Sequence, residues 1–212
     1  MAFRNRGEAG ERLAAALAFF KRERPVILAL PRGGVPVAAE VAHGLAAPLD
    51  LVLVRKIGVP EQPEFAMGAI AEGDPPVTLR NDHVVHALRI ADRDFERVRD
   101  RELIELERRR QVYLGDRPRI DVAGRVAILV DDGIATGMTM RAAAQAIAQR
   151  GPSRIVIAAP VAGADISAEL RHEIGDVICL EEHEHFYAIG SHYADFSPVW
   201  RRRESPILIL AM

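Results

Sequence analysis

Apolar residues occur along the chain in short runs that are separated by segments with helical spacing of apolar positions. The runs occupy residues 25–30, 49–54, 126–130, 155–160 and 176–180, and Asp50 and Asp176 are the charged residues within them. Continuous apolar runs of this length are typical of parallel strands that are buried on both faces. Helical segments at 7–20, 36–43, 141–150 and 164–174 lie between them. This alternation predicts an α/β fold, with a mostly parallel central sheet flanked by helices on both faces.

Residues 83–114 interrupt the alternation, because they contain no Gly or Pro and are dominated by charged side chains. This composition predicts a long charged helix inserted into the fold, capped by Asn81 or Asp82 and supported by a Glu105–Arg109 pair one turn apart. Its narrow apolar seam fits a solvated helix packed on one side, or an arm that joins two chains in a homodimer. Two short strands, 66–71 and 77–80, precede it. No repeat or linker divides the sequence, so we expect one domain over residues 1–212.

Composition restricts the classes of partner. The formal net charge of −2 argues against nucleic acid as an electrostatic partner. The apolar runs are too short to span a membrane, and no signal peptide is recognisable. A single cysteine, Cys179, excludes an internal disulfide and fits a reducing cytoplasm. Because Cys179 lies within an apolar run, a buried structural role is favoured over a nucleophile.

The most informative stretch runs from Val126 to Met140 and combines a buried strand, two acids, a loop of small residues and a helix start. A strand–loop–helix unit with glycines at the turn directs backbone N–H groups at a phosphate. Carboxylates cannot bind phosphate, but Asp131 and Asp132 suit ribose hydroxyls or a magnesium ion. The loop lacks both GxxxxGK[ST] and GxGxxG, which excludes the commoner nucleotide loops. These residues therefore predict a pocket for a phosphorylated sugar.

This stretch resembles the signature of the type I phosphoribosyltransferases, in which an acidic pair is followed by a small-Thr-Gly-x-Thr loop. The resemblance implies that Asp131 and Asp132 hold the ribose hydroxyls of phosphoribosyl pyrophosphate (PRPP). It also implies that the 5′-phosphate is held by the loop residues Ala135, Thr136, Gly137, Met138 and Thr139. Magnesium would arrive bound to PRPP, close to the two acids. The implied reaction is displacement of pyrophosphate from the anomeric carbon by a ring nitrogen.

Two further strand ends offer groups for the pyrophosphate. The segment Pro31-Arg32-Gly33-Gly34 resembles the pyrophosphate loop of the same family, which implies a non-proline cis peptide at Pro31–Arg32. Arg55 and Lys56 resemble the basic pair that stabilises the leaving group, and residues 58–65 would form a short flexible lid. The alternatives are a plain Gly-Gly turn and a solvated basic pair. Ligands of parallel sheets bind beyond the carboxyl ends of the strands, so the ends at Leu30, Val54 and Val130 are expected to converge.

The acceptor base is not identified by the sequence. Residues from about 181 to 212, and 186–193 in particular, resemble the hood of the 6-oxopurine enzymes, which implies that Phe186 or Tyr187 stacks on the base. However, Ala135 and His192 stand where those enzymes have acids, and residues 156–160 contain no lysine that could read an exocyclic oxygen. Residues 181–185 include two histidines in His-x-His spacing, and we interpret them as a solvated loop rather than a metal site, since no further ligands stand at useful spacing.

Two functions from different classes remain open. The first is a magnesium-dependent phosphoribosyltransferase that acts on an unidentified nitrogenous base. The second is a non-catalytic regulator that senses PRPP or a nucleotide, which the alanine at position 135 and the short lid favour. Arg32, Arg55 and Lys56 favour the enzyme, because a sensor of a nucleoside monophosphate needs no pyrophosphate site. A hydrolase that uses the same loop is a weaker alternative, since no nucleophile is placed for it.

Overall fold

The computed structural model describes residues 3–199 and contains eight strands and six α-helices within that range. In chain order these are α1 (Arg6–Ala16), β1 (Val26–Ala29), α2 (Gly34–Leu45), β2 (Leu49–Leu51), β3 (Val54–Val59), β4 (Gln62–Ala71), β5 (Val77–Arg80), α3 (Asp82–Ala87), α4 (Asp92–Tyr113), β6 (Val126–Val130), α5 (Met138–Ala148), β7 (Arg154–Gly163), α6 (Ala164–Glu173) and β8 (Asp176–His183). Short 3₁₀ helices cover Ala18–Glu23 and Ile189–His192.

The central sheet has five strands in the order β2-β1-β6-β7-β8, and every neighbouring pair is parallel. The strand β6, which the sequence marked as a fully buried run, lies in the middle of this sheet and has no exposed residue. A parallel sheet of this kind must be covered on both faces. The predicted fold class is therefore confirmed.

Successive residues of the central strands belong to two different apolar clusters, which places a layer of helices on each face. Ile27, Ile128 and Val156 pack with residues of α1 and α2. Val26, Leu129 and Ile157 pack with residues of α5 and α6 on the other face. This alternation follows from the period of two along a strand, and the continuous apolar runs arise because both faces are buried.

A second, antiparallel sheet has the order β3-β4-β5, and its first hairpin corrects two predictions. The apolar run 49–54 is not one strand, since β2 ends at Leu51 and β3 begins at Val54 in the other sheet. Val52 and Leu53 between them are also buried, which hides the break. The lid predicted at 58–65 is mostly hairpin, with Val59 paired to Gln62. Gly58 is needed there for close approach, because a Cβ atom would lie 2.8 Å from the Cα atom of Pro63.

The region 83–114 forms two helices rather than one, although the long charged helix itself is present as the 22-residue α4. The helix α3 ends in a Schellman motif, in which the N–H of Arg89 bonds to His86 O at 3.1 Å and that of Ile90 to Val85 O at 2.9 Å. Arg89 has a φ of 51° at the position that glycine usually occupies. The sequence therefore gave no stop signal here. The predicted cap Asn81 accepts from the N–H of Val84, and the Glu105–Arg109 pair is formed at 3.0 Å.

The predicted helix 7–20 is also divided, into α1 and the 3₁₀ helix Ala18–Glu23. Cys179 is half-buried on β8, and burial raises the pKa of its thiol to about 12, so it is not a thiolate nucleophile at neutral pH. The part of the predicted hood beyond residue 199 lies outside the described residues. Within residues 3–199, no helix combines the length and apolar character needed to cross a membrane.

Candidate active site

The loops that follow β1 and β6 meet at the carboxyl end of the central sheet, as expected for adjacent parallel strands. The N–H of Leu30 donates to Val130 O at 2.9 Å, which ties the two strand ends together. A Cβ atom on Gly34 would lie 2.6 Å from Val130 O, and one on Gly33 would lie 2.5 Å from the Cγ atom of Asp132. The two glycines therefore let the 31–34 loop pack directly on the acidic pair. The peptide bond between Pro31 and Arg32 is cis, which confirms that prediction.

The loop from Asp131 to Gly137 leads from β6 into the first turn of α5. Gly137 stands at the N-cap with a φ of 69°, a conformation that glycine adopts at little cost. The first N–H groups of a helix have no intrahelical acceptor, and they carry partial positive charge. Ala135 and Thr136 are exposed beside them. Residues 135–139 thus combine an exposed loop with the first N–H groups of a helix.

Asp131 is a half-buried carboxylate whose Oδ1 accepts the N–H of Asp132 at 2.9 Å. Burial, together with the negative charge of Asp132, raises the pKa of Asp131 well above its usual range. The charge of Lys56 acts in the opposite direction and lowers that pKa. Asp131 therefore holds negative charge at a cost in the free protein, and it would gain from hydroxyl donors or a cation placed against it.

Asp132 is more deeply buried, and it has a partner that the sequence did not reveal. Arg6, at the start of α1, donates its Nε to Asp132 Oδ2 at 2.7 Å. The side chains of Arg6 and Asp132 are only 11% and 9% exposed, so water screens this ion pair little. The hydroxyl of Tyr193 donates to the backbone oxygen of Asp132 at 2.6 Å. Asp132 is thus fixed through both its side chain and its backbone.

The contacts to Asp132 come from a strap that the two ends of the described chain form together, namely residues 3–6 and 193–197. The N–H of Phe3 bonds to His192 O, and the N–H of Ala194 bonds to Phe3 O. The guanidinium of Arg6 lies 3.7 Å from the ring centroid of Phe196 and donates to Ser197 O at 3.0 Å. Cation–π contact and ion pairing together hold Arg6 in place.

The basic residues predicted for the pyrophosphate lie in different environments. Arg32 and Lys56 are exposed, and neither forms a salt bridge within residues 3–199. Arg55 is instead bound by Glu102 of α4, which accepts its Nε at 2.9 Å. Both residues of the predicted pair lie within β3, not at a strand end. A cavity of about 370 Å³ is lined by Pro31, Arg55, Lys56, Thr139 and their neighbours, which joins the basic pair to the 31–34 loop.

A second cavity, of about 450 Å³, adjoins the turn at residues 135–139. Its lining includes Lys56, Ala135, Thr136, Asp165, Glu184 and Phe186. One face of the Phe186 ring is stacked on His192 with centroids 5.1 Å apart. Tyr187 is 90% exposed and does not line this cavity. Of the two aromatic residues predicted to stack on a base, the structure thus brings Phe186 alone to the cavity.

Asp131 and Asp132 are the oxygen ligands that the sequence analysis placed near magnesium. Within the described chain, no group of three or more His, Cys, Asp or Glu residues is arranged to hold a metal ion. Oδ2 of Asp132 is already bound by Arg6, whereas the raised pKa of Asp131 marks a carboxylate in need of positive charge. The donor set therefore fits a metal ion that brings most of its own ligands, with Asp131 as the protein contact.

Comparison with curated proteins gives relatives in Mycobacterium tuberculosis. Proteins from two of its strains, whose names assign them provisionally to the phosphoribosyl transferases, are 45% identical to this chain over 195 residues. The matched region is 92% of this chain but 44% of the relatives. This chain therefore spans less than half the length of the curated relatives that it matches.

Comparison with solved structures gives a close match along the whole chain. The crystal structure of TT1426 from Thermus thermophilus is 43% identical and has a TM-score of 0.75. The match covers 100% of this chain and 97% of the Thermus protein. The model of the phosphoribosyl transferase domain family matches residues 4–196. This range includes the acidic pair, the turn at residues 135–139, and most of the two segments that form the strap. The chain belongs to the phosphoribosyl transferase domain family.

Proposed function

We propose that this protein is a magnesium-dependent phosphoribosyltransferase, which transfers the phosphoribosyl group of PRPP to a nitrogenous base and releases pyrophosphate. The observation that carries the proposal is the packing of the 31–34 loop on Asp131 and Asp132, beside the turn at residues 135–139. A sugar carrying phosphoryl groups at both ends needs a diol site between two anion sites. The 31–34 loop and the segment 131–139, which are far apart in sequence, would supply that order.

Each part of PRPP has an assigned contact in this proposal. The 5′-phosphate binds the N–H groups of Ala135, Thr136, Gly137, Met138 and Thr139. Asp131 and Asp132 accept hydrogen bonds from the ribose hydroxyls, and the strap holds Asp132 in a fixed orientation. Arg32, Gly33, Gly34 and Lys56 bind the pyrophosphate, with Arg55 held beside it by Glu102. Bound magnesium would supply positive charge for the leaving group, with Asp131 as the nearest protein ligand.

Catalysis in this arrangement would come from positioning and electrostatic stabilisation, because residues 3–199 place no nucleophile at the site. As the bond between the anomeric carbon and pyrophosphate lengthens, negative charge grows on the leaving oxygens. Lys56 is an exposed cation that lines both cavities, so it can stabilise the negative charge on the leaving oxygens. The attacking base would enter from the larger cavity, against Phe186.

The lining of the 450 Å³ cavity also bears on which base accepts the phosphoribosyl group. Asp165 and Glu184 are exposed carboxylates on its wall, and Asp165 Oδ1 lies 2.9 Å from the position that a Cβ atom of Gly163 would occupy. Carboxylates accept hydrogen bonds and donate none when ionised. We therefore expect acceptors that present N–H donors to be preferred over their oxo-substituted counterparts.

The proposal is tested by measuring pyrophosphate release from PRPP with magnesium against purines, pyrimidines and small amines, arranged as amino and oxo pairs. We expect release with at least one amino member, and loss of PRPP binding in the double variant Asp131→Asn, Asp132→Asn. An exposed double variant, Asp92→Asn with Asp100→Asn, is the matched control and should bind PRPP normally. Unchanged PRPP affinity in the acidic-pair variant would contradict the ribose assignment.

A second candidate is a PRPP-sensing regulator without catalysis. It is favoured by the ion pair between Arg55 and Glu102, which ties up one of the two predicted leaving-group cations, and by the alanine at position 135. Tight PRPP binding by calorimetry, without release of pyrophosphate for any acceptor in the panel, would support this function over the enzyme.

A further inference from the structure

A cavity of about 560 Å³ lies at the end of α5 that is remote from the turn at residues 135–139, and the proposed function does not use it. The helix α5 has 11 residues, so its two ends are separated by roughly 16 Å at a rise of about 1.5 Å per residue. The cavity is lined by α4, by the turn between β4 and β5, and by the segment that precedes β6. It is therefore a separate place in the fold from the candidate active site.

Three guanidinium groups, those of Arg110, Arg119 and Arg150, line this cavity. Arg119 is neutralised by Glu72, which accepts its Nη1 at 2.7 Å and also accepts the N–H of Leu53 at 2.9 Å. Arg110 lies 3.4 Å from Glu107. These two arginines thus have carboxylate partners, whereas Arg150 forms no salt bridge within residues 3–199.

The carboxylate of a second buried acid nearby, Asp50, also has its hydrogen-bond partners within the protein. Asp50 has no exposed surface, and its carboxylate is bound by Arg117 and by the N–H groups of Leu51 and Ile120, each at 2.9 Å. Asp50 and Glu72 are thus each bound by another arginine, Arg117 and Arg119 respectively. Arg150 has no carboxylate in salt-bridge contact among residues 3–199, although the charge of Asp121, an exposed acid, also acts on it.

The hydrogen bonding of Arg150 is incomplete as well. Its Nη2 donates to Ile120 O at 2.5 Å, but its Nη1 is buried and has no hydrogen-bond partner among residues 3–199. A buried donor that lacks a partner is unfavourable, more so when it is charged. Burial and the nearby charge of Arg119 accordingly lower the pKa of Arg150. Planar guanidinium donors match the geometry of a phosphate or carboxylate.

We infer that this cavity binds a small oxyanion, a phosphate or a carboxylate, through the guanidinium of Arg150. The amide of Gln149 lies on the same wall. Asp74 and Glu107 are exposed carboxylates in the lining, and Asp74, which has no salt bridge among residues 3–199, opposes entry of an anion. The cavity is larger than inorganic phosphate needs, which leaves room for an organic group against Leu103 and Leu106.

The test uses thermal unfolding in inorganic phosphate and, separately, in acetate, each compared with chloride at equal ionic strength. Because phosphate would also bind the backbone N–H groups of the turn at residues 135–139, the background is the double variant Ala135→Asp, Thr136→Asp, whose carboxylates repel an anion from that turn. We expect phosphate at ten times its Kd to raise the midpoint of that variant by about 3–6 °C, from the linkage relation and the size of the chain. A rise in acetate as well would identify a carboxylate as a second ligand.

Adding Arg150→Gln to this background should remove the phosphate-dependent rise, while Arg22→Gln, an exposed arginine, should leave it unchanged. Without anion, Arg150→Gln should unfold no earlier than its parent, because it removes the Nη1 atom that is buried without a hydrogen-bond partner. Asp74→Asn should lower the phosphate concentration needed for half the rise. A rise that persists after Arg150→Gln, or no rise in the background variant, would overturn the inference.

Discussion

At the scale of single residues, Asp131 and Asp132 are adjacent in sequence but have different environments. Asp132 has a cation, Arg6, against its carboxylate and a hydroxyl, that of Tyr193, on its carbonyl. Asp131 has one backbone donor, and burial disfavours its charge. Asp132 is therefore part of the framework of the site, and Asp131 is the group whose charge is available to a ligand.

The ion pair between Arg6 and Asp132 should contribute to stability and to PRPP binding. Replacing Arg6 with Leu leaves a buried carboxylate without its partner, which costs about 3 kcal/mol of unfolding free energy. We expect this loss in denaturant titration, together with weaker PRPP binding by calorimetry. Arg6→Lys should recover part of both. Arg4→Leu is the control, because its side chain is 80% exposed, and a similar loss there would mean that the effect does not depend on Asp132.

Asp131 should oppose folding as the pH rises. Because its folded pKa is above the ordinary value, the folded state binds more protons than the unfolded state in that interval, and stability falls as pH rises from about 4 through the raised pKa. Asp131→Asn should therefore have the higher melting temperature above this interval, while losing affinity for PRPP. Thermal unfolding between pH 4 and 9 measures the difference.

Asp176 provides a contrast of opposite sign. Its salt bridge with Arg154 lowers the pKa of the carboxyl below the ordinary value, so its contribution is present above about pH 4 and is lost as pH falls through the lowered pKa. Asp176→Asn should accordingly be less stable than the parent at neutral pH and equal to it in acid. Equal pH profiles for the two Asn variants would contradict the environments described for both residues.

At the scale of elements, the strands could be predicted and the breaks between them could not. Runs such as 126–130 are apolar because both faces of the strand are buried, so the pattern itself carries the assignment. The end of α3 could not be predicted, since Arg89 replaces the usual glycine of its motif. The hairpin at residues 54–71 was missed because Gly58, Pro60 and Pro63 have the composition of a loop.

The site followed the same division. Asp131, Asp132, the turn after them and the glycines at 33–34 could be singled out as candidates because each follows a buried strand, and the structure brings the two loops into contact. Arg6 lies 126 residues from its partner Asp132, and its local sequence is that of an ordinary amphipathic helix. The only available signal was that a buried acid must have a partner, which does not say where the partner is.

The helix α4 places Glu102 against Arg55, one of the residues proposed to lie beside the pyrophosphate. Glu102→Gln should leave the helix intact but weaken its hold on Arg55, because a hydrogen bond to a charged group contributes about 1.5–3 kcal/mol. We expect about a tenfold fall in affinity for PRPP, measured by calorimetry. Glu96→Gln, at an exposed position of α4, should have no effect. Tighter binding in Glu102→Gln would instead mean that Glu102 withholds Arg55 from the ligand.

At the scale of the whole molecule, the two sheets share one apolar core. A single cluster of buried side chains includes Ile128 of the central sheet, Ile70 of the small sheet and Leu106 of α4. On the other side of the small sheet, Ala69 and Ala71 pack on Ala142 and Ala146 of α5. This helix begins at the turn formed by residues 135–139. The sheet that carries Lys56 is thus positioned against the turn through closely packed alanines.

This shared core predicts that residues 3–199 unfold in one transition, with equal calorimetric and van't Hoff enthalpies. Ala142→Leu should lower the unfolding free energy by about 1–3 kcal/mol, since the site has no space for three more carbon atoms. If the core is continuous, the variant shifts the whole transition and does not split it. The exposed substitution Ala168→Leu on α6 is the control for side-chain size. A separate early transition in Ala142→Leu would mean that the small sheet unfolds on its own, and that the distance from Lys56 to the turn is set more loosely than the packing implies.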